Sequence, residues 1–263
     1  MIDLAALPWE DLAPFILIGF LAQVVDSALG MGFGVFSNTL LLMLGMPPLT
    51  AAAATRTVES FTSGVSGLSH AIQRNVDWPL FARLVVPGIV GGLIGVWILS
   101  IVKADLARAV VFVYMAAIGV YLIWRAPRRP QAYRRMTLVG PLGFAGSALD
   151  ASGGGGWGPV VTGSLLAQGM TPRMAIGTAD AAEFFVTVTV LVAFIGVLDL
   201  ASFTTAASGL LIGGVLAAPI GAYLTRRIPP RLLLTLVGAV LIAISLFGQA
   251  SLMFQPVPAF PRF

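Results

Sequence analysis

The stretch Asp26–Gly34, DSALGMGFG, returns in altered form 124 residues later as Asp150–Gly158, DASGGGGWG. Each copy places an acid and a cluster of glycines inside an apolar run. Neither feature suits a continuous membrane helix, because charge is costly in hydrocarbon and glycine destabilises a helix interior. Their recurrence at one spacing indicates that the chain consists of two related halves, each interrupted in its first apolar region.

The composition around these stretches is typical of an integral membrane protein. Of the 263 residues, 58% are hydrophobic and 10% are charged, and the mean hydropathy is +0.96, whereas soluble domains carry about 25% charged residues. Apolar stretches long enough to cross a hydrocarbon core recur along the whole chain, so no soluble domain is predicted. The chain has no cysteine, which excludes disulfides, thiol catalysis and zinc-thiolate sites.

The duplication extends beyond the glycine clusters. A shift of 124 residues gives 13 identities in the 42 positions from 20 to 61, including Glu59 on Glu183. Each half is predicted to hold two short apolar segments and then three longer ones: 14–28, 31–44, 48–72, 79–101 and 106–125 in the first half, and 137–149, 156–168, 172–197, 202–225 and 231–252 in the second. The predicted organisation is a first transmembrane repeat (1–126), an Arg-rich cytoplasmic linker (127–136) and a second transmembrane repeat (137–263).

The basic residues predict the orientation of these segments. Five of the 15 Lys and Arg residues lie between Arg125 and Arg135, and cytoplasmic loops collect such residues. If 137–168 forms a hairpin that returns to its own side, Arg226, Arg227 and Arg231 are cytoplasmic too. We therefore predict an all-α polytopic membrane protein with two inverted repeats, each a broken-helix hairpin plus three transmembrane helices. Re-entrant and fully crossing glycine-rich segments remain alternatives.

Short, glycine-interrupted segments at matching positions of inverted halves point to a transporter's substrate site near the bilayer midplane. A helix that begins there directs free backbone N–H groups at the cavity, and glycine lets an anion approach them. The predicted anion-binding glycines are Gly30, Gly32, Gly34, Gly153, Gly154, Gly155 and Gly156. Asp26 and Asp150 are predicted to cap the following short helices or to take part in the site. Tight helix packing is the alternative for glycine, and it is preferred for Gly91, Gly92, Gly213 and Gly214.

Glu59 and Glu183 lie near the middle of predicted spans, where a charge costs about 2.5–3.5 kcal/mol and usually faces the bundle interior. Arg56 and Asp180 precede them by one turn and share their helix faces. Arg56 is predicted to counter a bound anion. Glu59, Glu183 and Asp180 are predicted to carry protons, because acids in excess of arginine favour a titrating site. A structural ion pair of Arg56 with Glu183 or Asp180 is the alternative. His70 is predicted to be a polar interfacial residue.

Two halves that each contain a glycine-rich, acid-bearing segment, a G-M-x-P turn and an acid in the next helix resemble the TauE/SafE sulfite exporter family. The resemblance runs from about Phe15 to Phe247, on DSALGMGFG with LGMPPLTAAAATRTVES, and on DASGGGGWGPVVTGSLLAQGMTPRMAIGTADAAEF. It implies a multi-pass carrier in the bacterial inner membrane for small sulfur-containing anions such as sulfite or organosulfonates. The first cluster has fewer glycines than the second, which argues against equal roles for the two.

The leading hypothesis is a secondary transporter, expected to be a proton-coupled exporter that works by alternating access about a midplane site. The sequence contains no Walker-type loop for ATP, and we expect no enzyme activity, cofactor or metal. The expected partners are a small anion, protons and membrane lipid, without nucleic acid, and a homodimer is left open. The alternatives are an anion channel and an intramembrane serine hydrolase built on Ser164, Ser152 and His70.

Overall fold

The computed structural model describes residues 9–34, 36–37, 48–99, 104–128, 138–153, 156–195 and 205–254. These residues form helices joined by short turns, with no strand among them. The helices are α1 (Trp9–Leu29), α2 (Pro48–Ile72), α3 (Trp78–Leu99), α4 (Ala104–Arg125), α5 (Val139–Gly153), α6 (Gly163–Ala167), α7 (Pro172–Ile195), α8 (Thr205–Arg227) and α9 (Pro230–Phe254), and a π-helical turn, Gly158–Thr162, leads into α6. The prediction of an all-α protein is confirmed.

Five of the described helices contain stretches long and apolar enough to cross a membrane. These stretches are Leu12–Leu29, Trp78–Trp97, Pro172–Ala193, Ala207–Arg227 and Pro230–Ala250. Their outward side chains are large and apolar, including Leu17, Trp97 and Leu246, each more than half exposed. Apolar side chains on the outside of a helix bundle are suited to lipid, so the chain is a polytopic helical membrane protein, as predicted.

Two helices differ from their predicted form. α2 has 25 residues but is not one of the five apolar spans, because one of its faces is polar and packs against other helices. α1 begins at Trp9 and runs through Pro14 to Leu29, so its 21 residues cover about 31 Å. The first segment is therefore longer than the predicted 14–28, whereas the 15 residues of α5 cover about 22 Å and are short as expected.

Each major contact between two helices has an equivalent contact between their counterparts in the other half of the chain. The 124-residue shift relates α1 to α5, α2 to α7, α3 to α8 and α4 to α9. The most extensive contacts join α1 to α8 and α5 to α3, which are counterparts of each other. The contact between α2 and α8 is equivalent to the contact between α7 and α3. In two further contacts, α2 with α7 and α4 with α9, a helix packs against its own equivalent. Contacts between the halves therefore occur in matching sets.

Close approaches between helix backbones, which glycine permits, also occur at equivalent places in the two halves. A Cβ on Gly95 would lie 2.6 Å from the carbonyl oxygen of Ala148, and one on Gly221 would lie 2.9 Å from that of Val24, the equivalent residue. These distances leave no room for a side chain, so the backbones of α3 and α5, and of α8 and α1, are nearly in contact. Gly91, Gly92, Gly213 and Gly214 also lie at contacts between helices, in agreement with the packing role predicted for them.

Candidate functional site at the two broken segments

The first break follows α1 and uses backbone geometry that glycine adopts most easily. Gly30 has a φ of +74° and Gly32 a φ of +120°, and both values are unfavourable for residues with a Cβ. After this turn the chain is helical again at Phe33 and Gly34. Asp26 Oδ1 accepts the backbone N–H of Phe33 at 3.0 Å. The carboxyl group of Asp26 thus satisfies a free N–H at the start of the next helical segment.

The second break repeats this bond and adds another. α5 ends at Gly153, and Asp150 Oδ1 accepts the backbone N–H groups of Gly156 at 2.8 Å and Trp157 at 3.3 Å. Trp157 is the equivalent of Phe33, so the two acids hold equivalent N–H groups. Gly154 and Gly155, two of the predicted anion-binding glycines, lie outside the described residues.

The two breaks touch each other inside the bundle. A Cβ on Gly158 would lie 2.5 Å from the carbonyl oxygen of Gly30 and 2.8 Å from the Cβ of Met31. Both Met31 and Trp157 are almost completely buried. The two predicted half-sites are therefore parts of one interior region, where main chain from one half lies against main chain from the other.

Arg56 joins α2 to the second break. Its Nη1 lies 2.6 Å from Asp150 Oδ2 and 3.1 Å from Glu59 Oε2, and its Nη2 donates to the carbonyl oxygen of Asp150 at 2.5 Å. The three side chains are 4–12% exposed, and we call them the Arg56 cluster. The alternative partners predicted for a structural pair, Glu183 and Asp180, are not the observed ones, because the end of α5 and not α7 lies against the guanidinium.

The first break reaches the same cluster through Gly34. A Cβ on Gly34 would lie 3.0 Å from Glu59 Oε1, so a larger residue at this position would press on the carboxylate. Gly34 thereby places main chain of the first break beside Glu59, while Asp150 places the second break beside Arg56. One polar cluster on α2 contacts both breaks.

Acid is in excess around this cluster. Glu183 on α7 is buried, and it lies within Coulombic range of Asp26, Glu59, Asp150 and Asp180. Arg56 is the one arginine or lysine that the described part of the chain places among these five carboxyl groups. Like charges about 4 Å apart repel by about 4 kcal/mol at an effective dielectric constant of 20. Five ionised carboxylates against one guanidinium would therefore repel any entering anion.

Asp180 belongs to a second polar group with His70, Ser27 and Ser66, which we call the His70 network. Ser66 Oγ lies 2.6 Å from Asp180 Oδ2 and 2.6 Å from Ser27 Oγ. His70 Nε2 lies 2.8 Å from the carbonyl oxygen of Ser27 and 3.5 Å from Asp180 Oδ2. His70 has no exposed surface, so the prediction of an interfacial residue is wrong.

Sequence reasoning missed this network although a signal for it was present. Glu59, Ser63, Ser66 and His70 follow one another at intervals of four, three and four residues, which places them on one face of a helix. A polar face of this length in a membrane segment has to lie against other polar groups or a cavity. The face predicts buried partners for His70, although it does not identify them.

The residues proposed for a serine hydrolase are not brought together. Ser164 on α6 contacts the hydroxyl of Tyr114, while His70 lies on α2 beside Ser27 and Asn75. The side chain of Ser152 lies outside the described residues. The observed partner of Ser164 is thus a phenol and not the base that a serine nucleophile requires.

Comparison with known proteins identifies membrane transporters that are similar to this chain. The family model described as "Sulfite exporter TauE/SafE" matches residues 15–248. The chain is 35% identical over 247 residues to "Probable membrane transporter protein YtnM" of Bacillus subtilis (strain 168), a match that covers 90% of this chain and 82% of the relative. It is 27% identical over 115 residues to "Probable membrane transporter protein ORF9" of Sinorhizobium sp, over 44% of each chain. No solved structure matches the chain at the same level of significance.

Proposed function

Because the chain belongs to the TauE/SafE sulfite exporter family, and is therefore a membrane transporter and not an enzyme, we propose that it exports small sulfur-containing anions, sulfite or an organosulfonate, across the bacterial inner membrane. The observation that carries this proposal is the position of Arg56, a largely buried guanidinium beside both broken segments. A guanidinium donates paired hydrogen bonds to the oxygens of an oxyanion and keeps its charge when desolvated.

Asp150 marks the position that we propose for the anion. Its carboxylate bridges the guanidinium of Arg56, through Oδ2, and the N–H groups of Gly156 and Trp157, through Oδ1. These donors are the kind that recognise a sulfite or sulfonate group, because free N–H groups at a helix start and a guanidinium both favour negative charge. An entering anion would take over these donors and displace the carboxylate of Asp150.

Proton coupling follows from the excess of acid. When an anion replaces Asp150 at Arg56, one more negative charge enters a region that already holds five carboxyl groups. The repulsion is relieved if carboxyl groups take up protons, so anion binding and proton binding strengthen each other. Glu59 in the Arg56 cluster, together with Glu183 and Asp180 on α7, are the groups to which we assign these protons.

Alternating access would arise from rocking of the first repeat (1–126) against the second (137–263), with the linker 127–136 on the cytoplasmic side. The matching helix contacts across the halves support this division, since each half presents the same set of packing surfaces to the other. Inverted repeats with broken helices at a shared central site are the usual architecture for such motion. The point where Gly30 meets Gly158 lies between the halves and would separate when they rock.

Flux into liposomes tests the proposal. We expect purified protein to move methanesulfonate, whose charge does not change near neutral pH, and sulfite, with a rate that depends on an imposed proton gradient. Glu59→Gln combined with Glu183→Gln removes two of the three proposed proton carriers and should strongly weaken the dependence on the gradient. Thr189→Ala is the matched control, because its hydroxyl bonds to the Phe185 carbonyl of its own helix.

Each outcome bears on a separate part of the proposal. Gradient-driven flux that is unchanged in the double variant contradicts the assignment of the protons. The absence of sulfite and sulfonate flux under every gradient contradicts the substrate class. Currents far above carrier turnover would show an anion channel instead of a transporter.

A further inference from the structure

Gln23 on α1 is a buried amide without hydrogen-bond partners. Its side chain has no exposed surface, and neither Oε1 nor Nε2 forms a hydrogen bond within the described part of the chain. Burying an amide in this way is costly, because its donor and its acceptor both lose the bonds that water gave them. Such a group in a native interior requires an explanation, and a solute that pairs with it when bound is one.

The amide lies on the side of α1 that holds the first break. Gln23 precedes Asp26 by three residues, so the two side chains share one helix face. The amide lies beside the carboxyl group of Asp26, without the geometry of a hydrogen bond. Asp26 in turn holds the N–H of Phe33 at the start of the next helical segment. Gln23 is therefore a close neighbour of the first break.

The same face is connected with the Arg56 cluster. Asp26 lies within Coulombic range of Glu59, and the carboxylate of Glu59 pairs with Arg56. Gly34 of the first break lies against that carboxylate as well. The amide of Gln23 and the donors proposed for the anion thus belong to one polar interior, on its first-break and second-break sides.

The equivalent position in the second half carries a smaller polar group. The 124-residue shift places Gln23 on Ser147, which also has no exposed surface, and whose Oγ has no hydrogen-bond partner among the described residues. A Cβ on Gly92 would lie 2.8 Å from this oxygen, so the hydroxyl lies against α3. The amide side chain is longer and reaches further from its helix, so the two sides of the interior offer a solute different groups.

We propose that Gln23 is a specificity-determining residue, whose Oε1 accepts a hydrogen bond from a second polar group of the transported solute. This assignment rests on the proposed function, in which a sulfonate group binds at Arg56 and the second break, and it defines the solute more closely. Because the carboxyl group of Asp26 lies beside the amide, acceptors are concentrated here, and a donor such as a hydroxyl fits. The favoured solutes are hydroxyalkylsulfonates, since sulfite has no second group that reaches Gln23.

A buried, unpaired acceptor discriminates between solutes through the bond that it makes or lacks. A solute without the donor leaves Oε1 of Gln23 buried and unpaired, whereas a solute with the donor satisfies it. One hydrogen bond of this kind corresponds to about a tenfold difference in Kd between two solutes that differ only in the donor.

Thermal unfolding of the detergent-purified full chain, without any solute, is the first measurement. Gln23→Leu replaces the unpaired amide with an apolar side chain, so it should raise the unfolding temperature by about 2–4 °C. Gln73→Leu is the matched control, because it makes the same change at a glutamine whose Oε1 accepts from Arg226 at 3.3 Å, and it should give no rise. A lower unfolding temperature in Gln23→Leu would show that the amide already has a partner, and would overturn the proposal.

Binding of two sulfonates of equal size is the second measurement. Propanesulfonate and hydroxyethanesulfonate differ in having a methyl or a hydroxyl group at the end opposite the sulfonate. By calorimetry in detergent, the wild type should bind the hydroxyl compound about tenfold more tightly. Gln23→Leu should bring the two Kd values to within about twofold of each other, because neither compound then has an acceptor to satisfy. Gln73→Leu should keep the wild-type preference.

The outcomes separate the role of Gln23 from the proposed function. Equal affinities of the wild type for the two sulfonates would overturn the role of Gln23 and leave the protein a sulfonate carrier. A preference that is unchanged in Gln23→Leu would overturn it too, and Gln23→Met gives the same comparison if the leucine variant does not fold. Binding of sulfite without either sulfonate would keep the exporter and reject the second polar group. If the wild type binds none of the three anions, the proposed substrate class fails and the assignment of Gln23 fails with it.

Discussion

α2 and α7 are equivalent helices that have the same packing environment and different chemistry. Each begins at a proline that follows Gly, Met and one further residue in the sequence. The two helices pack against each other, and α2 also packs on α8, as α7 packs on the equivalent helix α3. Both carry a glutamate at the same position, Glu59 and Glu183. One turn earlier, however, α2 has Arg56 where α7 has Asp180.

The difference continues along the two helices. α2 has Ser66 and His70 at positions where α7 has Val190 and Phe194. The polar face that begins at the glutamate therefore continues for about three turns in α2 and is shorter in α7. The positions that match best between the halves are glycines at helix contacts and the acids that bond to the broken segments. Packing thus sets what the two halves share, while the unmatched residues on α2 set the charge and hydrogen bonding of the interior.

The largest effect is expected from removing the one cation. Arg56→Gln leaves the buried carboxylates of Asp150 and Glu59 without their partner, and breaking a buried ion pair in this way costs about 3–5 kcal/mol. We expect a large drop in thermal stability in detergent and no sulfonate flux. Asp150→Asn in the same chain should recover part of the stability and none of the flux. Full stability in Arg56→Gln would show that the Arg56 cluster is not formed.

The two glutamates should respond differently to the same substitution. Glu59→Gln weakens a charged hydrogen bond to Arg56 and should destabilise by about 1.5–3 kcal/mol. Glu183→Gln removes one acid from a group of five and has no such bond to lose among the described residues, so it should be neutral or stabilising. Unfolding temperatures of both variants at one pH are the measurement. Equal destabilisation would mean that the two halves are electrostatically alike.

The glycine contacts should respond equally in the two halves. Gly95→Ala and Gly221→Ala each force a Cβ to within 3 Å of a helix backbone or side chain, and overpacking of this kind costs about 1–3 kcal/mol. The two losses should agree to within about 1 kcal/mol. Gly140→Ala is the control, since its Cβ would meet only Pro87 Cγ at 3.6 Å. Clearly unequal losses would show that the halves do not share one packing scheme.

The smallest effect is expected at the aromatic residue that follows each break. Trp157 donates its Nε1–H to the carbonyl oxygen of Ala179 at 3.0 Å, and the equivalent residue of the first half is Phe33. Trp157→Phe gives both halves the same residue and removes one neutral hydrogen bond, at a cost of about 1 kcal/mol. A thermal shift assay measures it. A loss several times larger would indicate that the indole also shapes the second break.

Much of the helical framework could be predicted from the apolar stretches and from the glycine and proline residues that lie at helix ends. The predicted segments 48–72 and 172–197 agree with α2 and α7 to within two residues. Each helix begins at a proline, and a glycine shortly before that proline marks the end of the preceding segment. α1 was predicted too short. The predicted segment starts at residue 14, whereas the helix begins five residues earlier, at Trp9.

The pairing of charges could not be predicted in the same way. Arg56 and Asp150 are 94 residues apart, and their contact depends on where the end of α5 lies relative to α2. Spacing along one helix predicted that Arg56 and Glu59 share a face, which is a local property. Which helix supplies the opposing acid is a property of the bundle, and local sequence reasoning chose α7 instead of α5.

The contact between Gly158 and the carbonyl oxygen of Gly30 has a consequence for how fast such a protein can work. Main-chain atoms of Gly30 and Gly158 form this contact, and a rotamer flip, on a scale of picoseconds to nanoseconds, does not move main chain aside. A passage there opens only when whole helices shift, which takes microseconds to milliseconds. The ceiling on turnover would therefore be set by backbone movement, and enlarging or trimming nearby side chains should alter which solute is accepted far more than how quickly it crosses.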